Sequence, residues 1–426
     1  MAGAKTRRAA AELLMRVLDE RRTLDDAMAL TTAFDGLEGA DRSFARAMAS
    51  AALRHLGRIN SGLAPLLSRP LDTATPPSRA LLQIGAAQIW VLGTPHHAAV
   101  GETVAAAKLW PRARQAAGFL NAVLRKVASD RSTFEAASPT EVWPGWLAEI
   151  FREGLGSDAA EDLAAAQLTE PDLHLTPRSE DGADLAEAIG GAILPSGSVH
   201  VPRQSVEKIP GYADGTWWVQ DQAATLPARL LGVTAGETVV DLCAAPGGKT
   251  LQLASTGARV FAVDRSAKRL LRVEENLART KLSERVELIA ANGDVWRPDA
   301  PVDAVLVDAP CSALGTLRRH PEGAWIKGPE EIARYPEVQI RLLRAALSML
   351  KPGGRLVYCV CSPLPAEGRE VVQTLLAEGG CHRLPILASD VPGFADKITP
   401  DGDLLTLPNA TAAHDAFFIA RLASGA

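Results

Sequence analysis

Two cysteines stand where a sulfur nucleophile would be delivered. Cys311 follows Val305-Leu306-Val307-Asp308-Ala309-Pro310, and Cys361 follows Gly354-Arg355-Leu356-Val357-Tyr358-Cys359-Val360. A thiolate is intrinsically reactive, but at an ordinary pKa of about 8.5 only a few per cent is ionised near neutrality. A nearby cation raises that fraction, and Lys249 in Gly247-Gly248-Lys249-Thr250 can supply one if its side chain reaches the thiols. Asp308, three residues before Cys311, adds a group that can hydrogen-bond or protonate a substrate. Nucleophile, proton carrier and a second thiol are the parts of covalent catalysis at an electrophilic carbon.

Such groups must be held by a rigid frame, and the chain around them reads as one. Thr238–Leu242, Val260–Asp264, Val286–Ala290, Ala304–Asp308 and Gly354–Cys359 are short apolar, β-branched runs, as expected of buried parallel strands. Helical text lies between them at Lys249–Ser255, Ser266–Leu277 and Ile332–Leu350, and Phe417–Ala420 reads as a last strand. Strand–helix alternation predicts a doubly wound sheet, which binds ligands beyond the carboxyl ends of its strands. The loop after Asp241 carries Gly247-Gly248, where backbone can approach a ligand closely. Asp264 ends the second strand 23 residues after Asp241, the place of a ribose-binding carboxylate. No Gly lies five residues before Gly248, where Cys243 stands, so a P-loop is disfavoured, and a strict G-x-G-x-x-G is missing. On these grounds a nicotinamide dinucleotide and S-adenosylmethionine fit equally.

At 426 residues, with 47% hydrophobic and 22% charged residues, the chain predicts two or three globular domains. No apolar run is long enough to span a bilayer, and Met1–Glu20 has charges throughout and no signal-peptide core. The five cysteines form no framework or zinc spacing, which predicts free thiols, no metal and a cytoplasmic protein. Net charge is −5, yet residues 1–150 hold 18 Lys and Arg against 14 Asp and Glu. That local excess of +4 hints at an anionic partner or at solvated helix faces.

Residues 6–153 read as helices throughout. Asp41 is placed to cap a helix through Phe44, Met48 and Leu53; Pro76-Pro77 or Ser78 opens Ala80–Trp90, apolar nearly all round and so central. Pro144 to Leu231 reads as helices, then a small βαβ-like unit with strands near Leu173–Leu175 and Ser198–Val201. Trp217-Trp218 in a strand reads as core before base stacking.

The order Arg8-Ala9-Ala10, Phe44-x-Arg46, Leu53-Arg54, Leu81–Gly85, Pro95–Val100 and Gly118–Arg125 resembles the NusB-type RNA-binding helical domain. Val219–Ala224, Asp241–Thr250, Asp308–Ser312 and Cys361-Ser362 resemble the RsmB/Fmu/Sun type of ribosomal RNA cytosine-5 methyltransferase, nearly end to end. The resemblance implies a NusB-like helical domain at 1–143, a small α+β, RRM-like segment with linker helices at 144–231, and a Rossmann-like class I methyltransferase domain at 232–426. It implies S-adenosylmethionine as cofactor, ribosomal RNA as partner, and a monomer. Cys361 would be the covalent nucleophile and Cys311 the residue assisting release, with Asp308 and Lys249 also catalytic. Cys243, Ala244, Ala245, Pro246, Gly247, Gly248, Lys249, Asp264, Asp294 and Asp308 would line the cofactor site. Arg125, Arg318, Arg319 and His320 would face RNA.

The chemistry agrees with that implication. Carbon 5 of cytosine is too poor a nucleophile to take a methyl group directly, and a thiolate added at carbon 6 makes it an enamine carbon. Two departures from the family pattern stand out: Val360 precedes Cys361 where Thr is usual, and Pro365–Glu370 lacks a customary Asn but keeps Glu370. Transfer RNA as substrate, or a non-catalytic RNA-binding adaptor, are the alternatives the residues leave open.

Overall fold

The computed structural model describes residues 2–179, 182–409 and 413–425. The chain divides into two compact units, Met1–Glu170 with Leu317–Pro329, and Pro171–Thr316 with Glu330–Ala426. The helices Gly145–Leu155 and Ser157–Leu168 therefore go with the first unit, and the small sheet that follows goes with the second.

The first unit is helical. Its centre is the helix Pro76–Trp90, opened by proline, which needs no backbone N–H at that position. It is buried from Pro77 to Trp90, Arg79 alone being half-buried, and apolar nearly all round, with Gln83 and Gln88 among its buried polar side chains. At Gly85 a Cβ would come within 2.6 Å of Leu124, so a residue without one lets the helix Ala117–Ser129 close on it. The helix expected to be capped by Asp41 begins earlier, at Gly39. Asp41 lies in its first turn and accepts from the Thr6 hydroxyl at 2.9 Å, favouring the helix through the dipole instead of by capping. His96 and His97 open the helix His96–Leu109 and are exposed. Among the described residues no helix is long and apolar enough to cross a membrane.

The second unit holds two sheets. In the small one β1 (Leu173–Pro177), β2 (Ala192–Ile193), β3 (Val199–Val201) and β4 (Trp217–Val219) lie in the order β2-β3-β1-β4. Every pairing is antiparallel, which corrects the βαβ expectation. The reversal is a tight turn closed by Leu194 and Ser198, with Gly197 at φ +77°, so β2 and β3 form a hairpin. Trp217 packs with Leu175, Val199 and Val201 beneath the helix Ala183–Ile189, while Trp218 faces the other way into the core of the large sheet. Both indoles are core, not stacking platforms.

The large sheet has β5 (Thr238–Leu242), β6 (Arg259–Asp264), β7 (Val286–Ala290), β8 (Val302–Asp308) and β9 (Leu350–Val360). They run parallel in the order β9-β8-β5-β6-β7. β10 (Cys381–Arg383), β11 (Leu404–Thr406) and β12 (Phe417–Ser424) complete it, with β12 antiparallel to β9 and paired with both β10 and β11. The strand order reverses at β5, whose neighbours are β6 and β8. At such a switch point the loops diverge and leave a crevice beyond the carboxyl ends. The single helix expected over Ile332–Leu350 is two, Pro329–Ile332 and Tyr335–Leu347. Pro336 explains the break: it fits a first helical turn, but in a continuous helix it would lack the N–H owed to Ile332 O and its ring would clash with that carbonyl.

Candidate active site at the strand ends

The loop leaving β5 and the helix Gly248–Ser255 wrap one side of the crevice. The N–H groups of Cys243 and Ala244 donate to Val263 O on β6 at 2.8 and 3.1 Å, which pins the loop. Gly247 sits at φ +106°, where a side chain would be strained and a Cβ would meet Val273 at 3.0 Å. Asp241 is fully buried; its Oδ2 accepts from the Thr250 hydroxyl at 2.6 Å and its Oδ1 has no partner. Burial pushes its carboxyl up to about 7. Asp264 accepts from Ser266 N–H at 2.9 Å, Ala245 N–H at 3.2 Å and Arg269 Nη1 at 3.1 Å. Arg269 also donates to Ala245 O, so it stitches the end of β6 to the loop after β5.

Across the crevice, Lys249 Nζ lies 2.8 Å from Asp308 Oδ2 and 5.3 Å from the Phe417 ring centre. Burial favours the neutral amine, but the Asp308 carboxylate and the nearby thiols outweigh it and hold the lysine charged. The Cys359 thiol is 3.4 Å from Asp308 Oδ1, because those two residues are register partners on β9 and β8. Cys359 is therefore more than the apolar filler its place in the strand suggests, and burial raises its pKa well above the usual range.

Cys311 and Cys361 meet with their Sγ atoms 3.5 Å apart, though 50 residues separate them. Their strands are neighbours, and both loops turn at the same edge. The hydrogen bond to Cys361, then burial, holds the Cys311 thiol protonated. Gly315 fastens the loops: its N–H donates to Cys361 O at 2.9 Å and its O accepts from Ala416 N–H at 2.9 Å. Val360, the residue departing from the family pattern, is fully buried among Tyr358, Val372 and Phe418, so no hydroxyl is withdrawn from the crevice.

Lys249, Asp308, Cys311 and Cys361 are thus brought together, with Asp264 and the loop Cys243–Gly248 across β5. Asp294 lies beyond β7, its Oδ2 3.7 Å from Arg341 Nε, one residue past Gly293, which packs on Leu242. Burial, with the carboxylates around it, raises Cys243 to about 12, which makes it an inert thiol under the loop. Cys381 is on β10, away from this edge. Arg125, Arg318, Arg319 and His320 belong to the helical unit. Arg125, Arg319 and His320 are exposed, whereas Arg318 is only 6% exposed. Residue spacing did not single out Arg269, Thr250, Phe417 or Glu367; Arg269 is in the first turn of the helix Ala267–Thr280 that follows Asp264.

A reversing parallel sheet with an acidic residue at the end of β6 and a glycine-bearing loop at the end of β5, together with the NusB-type helices, defines the class. It is a class I S-adenosylmethionine-dependent methyltransferase joined to a NusB-type domain. A profile described as NusB family matches residues 4–129, and one described as 16S rRNA methyltransferase RsmB/F matches residues 228–423. The chain is 34% identical to Ribosomal RNA small subunit methyltransferase B of Pseudomonas syringae pv. tomato, covering 98% of this chain and 96% of that one. It is 35% identical to the protein of the same name from Pseudomonas putida, covering 98% of each. The chain belongs to the RsmB/F family of 16S rRNA methyltransferases. Among solved structures, PH0851 is 21% identical with a TM-score of 0.76 over 98% of both chains, and NSun6 from Pyrococcus horikoshii with SFG is 19% identical with a TM-score of 0.57 over 66% of this chain and 98% of that one. These two likenesses show the fold.

The residues at the crevice fit S-adenosylmethionine. Asp264 presents a carboxylate at the end of β6, where ribose hydroxyls need acceptors, and the unpartnered Asp241 Oδ1 is a further buried acceptor. The bare backbone at Gly247-Gly248 leaves room for close approach.

Proposed function

We propose that this protein methylates carbon 5 of a cytosine in small-subunit ribosomal RNA through a covalent bond from Cys361 to carbon 6. The observation that carries the reading is the 3.5 Å thiol pair beside the Lys249–Asp308 pair. Cys361 is the nucleophile, as the family pattern implies, and Cys311, held protonated by its hydrogen bond to Cys361 and by burial, stands 3.5 Å from that sulfur. Lys249, held charged beside Asp308, supplies positive charge near the thiols.

Cys361 Sγ⁻ adds to carbon 6, and the ring's electron pair moves to N3, which takes a hydrogen bond or proton from the Asp308–Lys249 pair. When bound, S-adenosylmethionine supplies an electrophilic methyl group. Carbon 5, now an enamine carbon, would form the new bond to that methyl as the methyl–sulfur bond breaks, its electron pair staying on the departing thioether. A base then removes the carbon 5 proton, the carbon 6–sulfur bond breaks, and Cys361 leaves as thiolate; Cys311, within hydrogen-bond reach of that sulfur, assists the expulsion. Asp264 and the loop Cys243–Gly248 hold the cofactor, with Asp294 and Asp308 at its margin. The target base must be unstacked for the thiol to reach it. Arg125 and Arg319, with the exposed imidazole of His320, are offered to RNA.

The test is tritium-methyl transfer to 30S ribosomal RNA. Cys361→Ala is expected to abolish transfer, and retained activity would remove the assigned nucleophile. Cys311→Ala is expected to accumulate a slow-migrating protein–RNA adduct. Bisulfite sequencing of total RNA from a deletion strain separates ribosomal from transfer RNA targets.

A further inference from the structure

Glu367 lies six residues after Cys361 and is fully buried. Among the described residues no cation pairs with it. Its Oε2 accepts from the Ser312 N–H at 2.7 Å, and its Oε1 accepts from the Ser362 hydroxyl at 2.8 Å. Gln339 Nε2 donates to the same Oε2 at 3.4 Å and to Pro310 O at 3.1 Å. The Ser312 hydroxyl donates to Ser362 Oγ at 3.1 Å, and Tyr358 donates to Glu367 O at 2.5 Å. Ser312 directly follows Cys311, and Ser362 directly follows Cys361. One carboxylate therefore joins the residue after each thiol. Burying a carboxylate without a cation is expensive unless hydrogen bonds satisfy it, and these bonds go to the two thiol loops.

We propose that Glu367 is a positioning residue for the thiol pair: its buried carboxylate ties the loop after Cys311 to the loop after Cys361 and holds the two sulfurs in register. The assignment rests on the reading that this pair performs the chemistry. A fixed negative charge there has a second effect, since it opposes ionisation of Cys311. The groups facing Cys311 are Cys361, Glu367, Tyr358 from β9 and Tyr335 from the helix Tyr335–Leu347; Tyr335 donates to Glu331 at 2.9 Å. Lys249 acts on Cys361 from the other side. Of these, Glu367 alone is both charged and bonded to both loops. Its charge adds to the Cys361 hydrogen bond and to burial, the larger causes that keep the proton on Cys311.

The experiment reads alkylation of each cysteine by iodoacetamide against pH, resolved by peptide mass spectrometry on the full chain, alongside methyl transfer. Glu367→Gln keeps the shape and loses the charge. The Cys311 profile is expected to move down by about one pH unit, roughly a tenfold faster reaction at a fixed pH below the midpoint. The kcat is expected to fall at least about tenfold with the KM for S-adenosylmethionine unchanged. Glu367→Asp, which keeps the charge, is expected to restore the Cys311 profile. A Glu367→Gln profile superimposed on that of the parent protein overturns the proposal. If Glu367→Gln does not fold, Ser362→Ala decides: it keeps the charge and cuts one tie, so kcat should fall while the Cys311 profile stays, and full activity overturns the proposal. Should Cys361→Ala keep its methyl transfer while Glu367→Gln still shifts Cys311, the covalent reading fails and the positioning role of Glu367 stands.

Discussion

Removing one member of the Lys249–Asp308 pair should cost more than removing both. At 2.8 Å the gross attraction of two unit charges is about 6 kcal/mol at an effective dielectric of 20. Desolvation offsets several kcal/mol of that, so the pair's net worth is small, but an orphaned partner keeps its desolvation cost. Lys249→Met leaves Asp308, whose side chain is 27% exposed and can be rehydrated in part, so the loss should lie near about 3 kcal/mol, the low end for a broken buried pair. Asp308→Asn leaves a lysine side chain only 10% exposed and should cost at least as much. The double variant should sit within about 2 kcal/mol of the parent, giving a coupling of at least about 4 kcal/mol. For a unit of this size the single variants should melt about 6–12 °C lower. Calorimetry gives the melting points, and hydrogen exchange on β5 and β8 peptides places the loss in the right unit. Additive effects within about 0.5 kcal/mol, or a Lys249→Met cost below about 1 kcal/mol, would refute the buried-pair argument.

Asp241 has a folded pKa of about 7, above the ordinary carboxylate value, so the folded state holds its proton more tightly. Its contribution is neutral below the unfolded pKa and turns destabilising as pH rises through the window from about 4 to 7; Asp241→Asn should flatten that decline in urea titrations, and an unchanged slope would contradict it. His55 behaves oppositely in the helical unit: burial and the neighbouring Arg54 and Arg58 lower it to about 4, and its Nδ1 has no partner. Stability should therefore be lost as pH falls from about 6.5 to 4, and His55→Gln should remove that loss, read by circular dichroism. At Gly315 a Cβ would stand 2.1 Å from Ala416 O and 2.9 Å from Cys361 O, both backbone atoms. Gly315→Ala should cost about 1–3 kcal/mol and displace the thiol loop; methyl transfer should fall while cofactor affinity by calorimetry holds, and a fully active variant would show that the loop can yield.

The strands and most of the site were legible because the parallel strands are short apolar runs, and three of them carry an aspartate at or next to the carboxyl end. Asp264 and Asp308 close β6 and β8, Asp241 is the last residue but one of β5, and the glycines stand in the loop that follows it. The text failed where local pattern had no say over direction or breaks. A hairpin at Gly197 and a strand crossover look alike without the partner strand, and Pro336 splits a helix that apolar periodicity alone would extend. Cys359 read as filler because alternation along a strand says which residues point inward. Which neighbour they meet depends on register, and register put Asp308 opposite it.

By itself the sequence determined what kinds of groups are present and that strand ends would present them: thiols, carboxylates, one lysine and a backbone free of side chains. Those follow from residue type and from periodicities of two and 3.6, which are local. Only the tertiary structure decided which of them touch. Residues 311 and 361 become neighbours because β8 and β9 are adjacent and parallel, and strand order is set by packing of helices on both faces. Glu367 was invisible for the same reason. A lone glutamate in a loop reads as solvated, and its burial between Ser312 and Ser362 exists only once two distant loops share an edge.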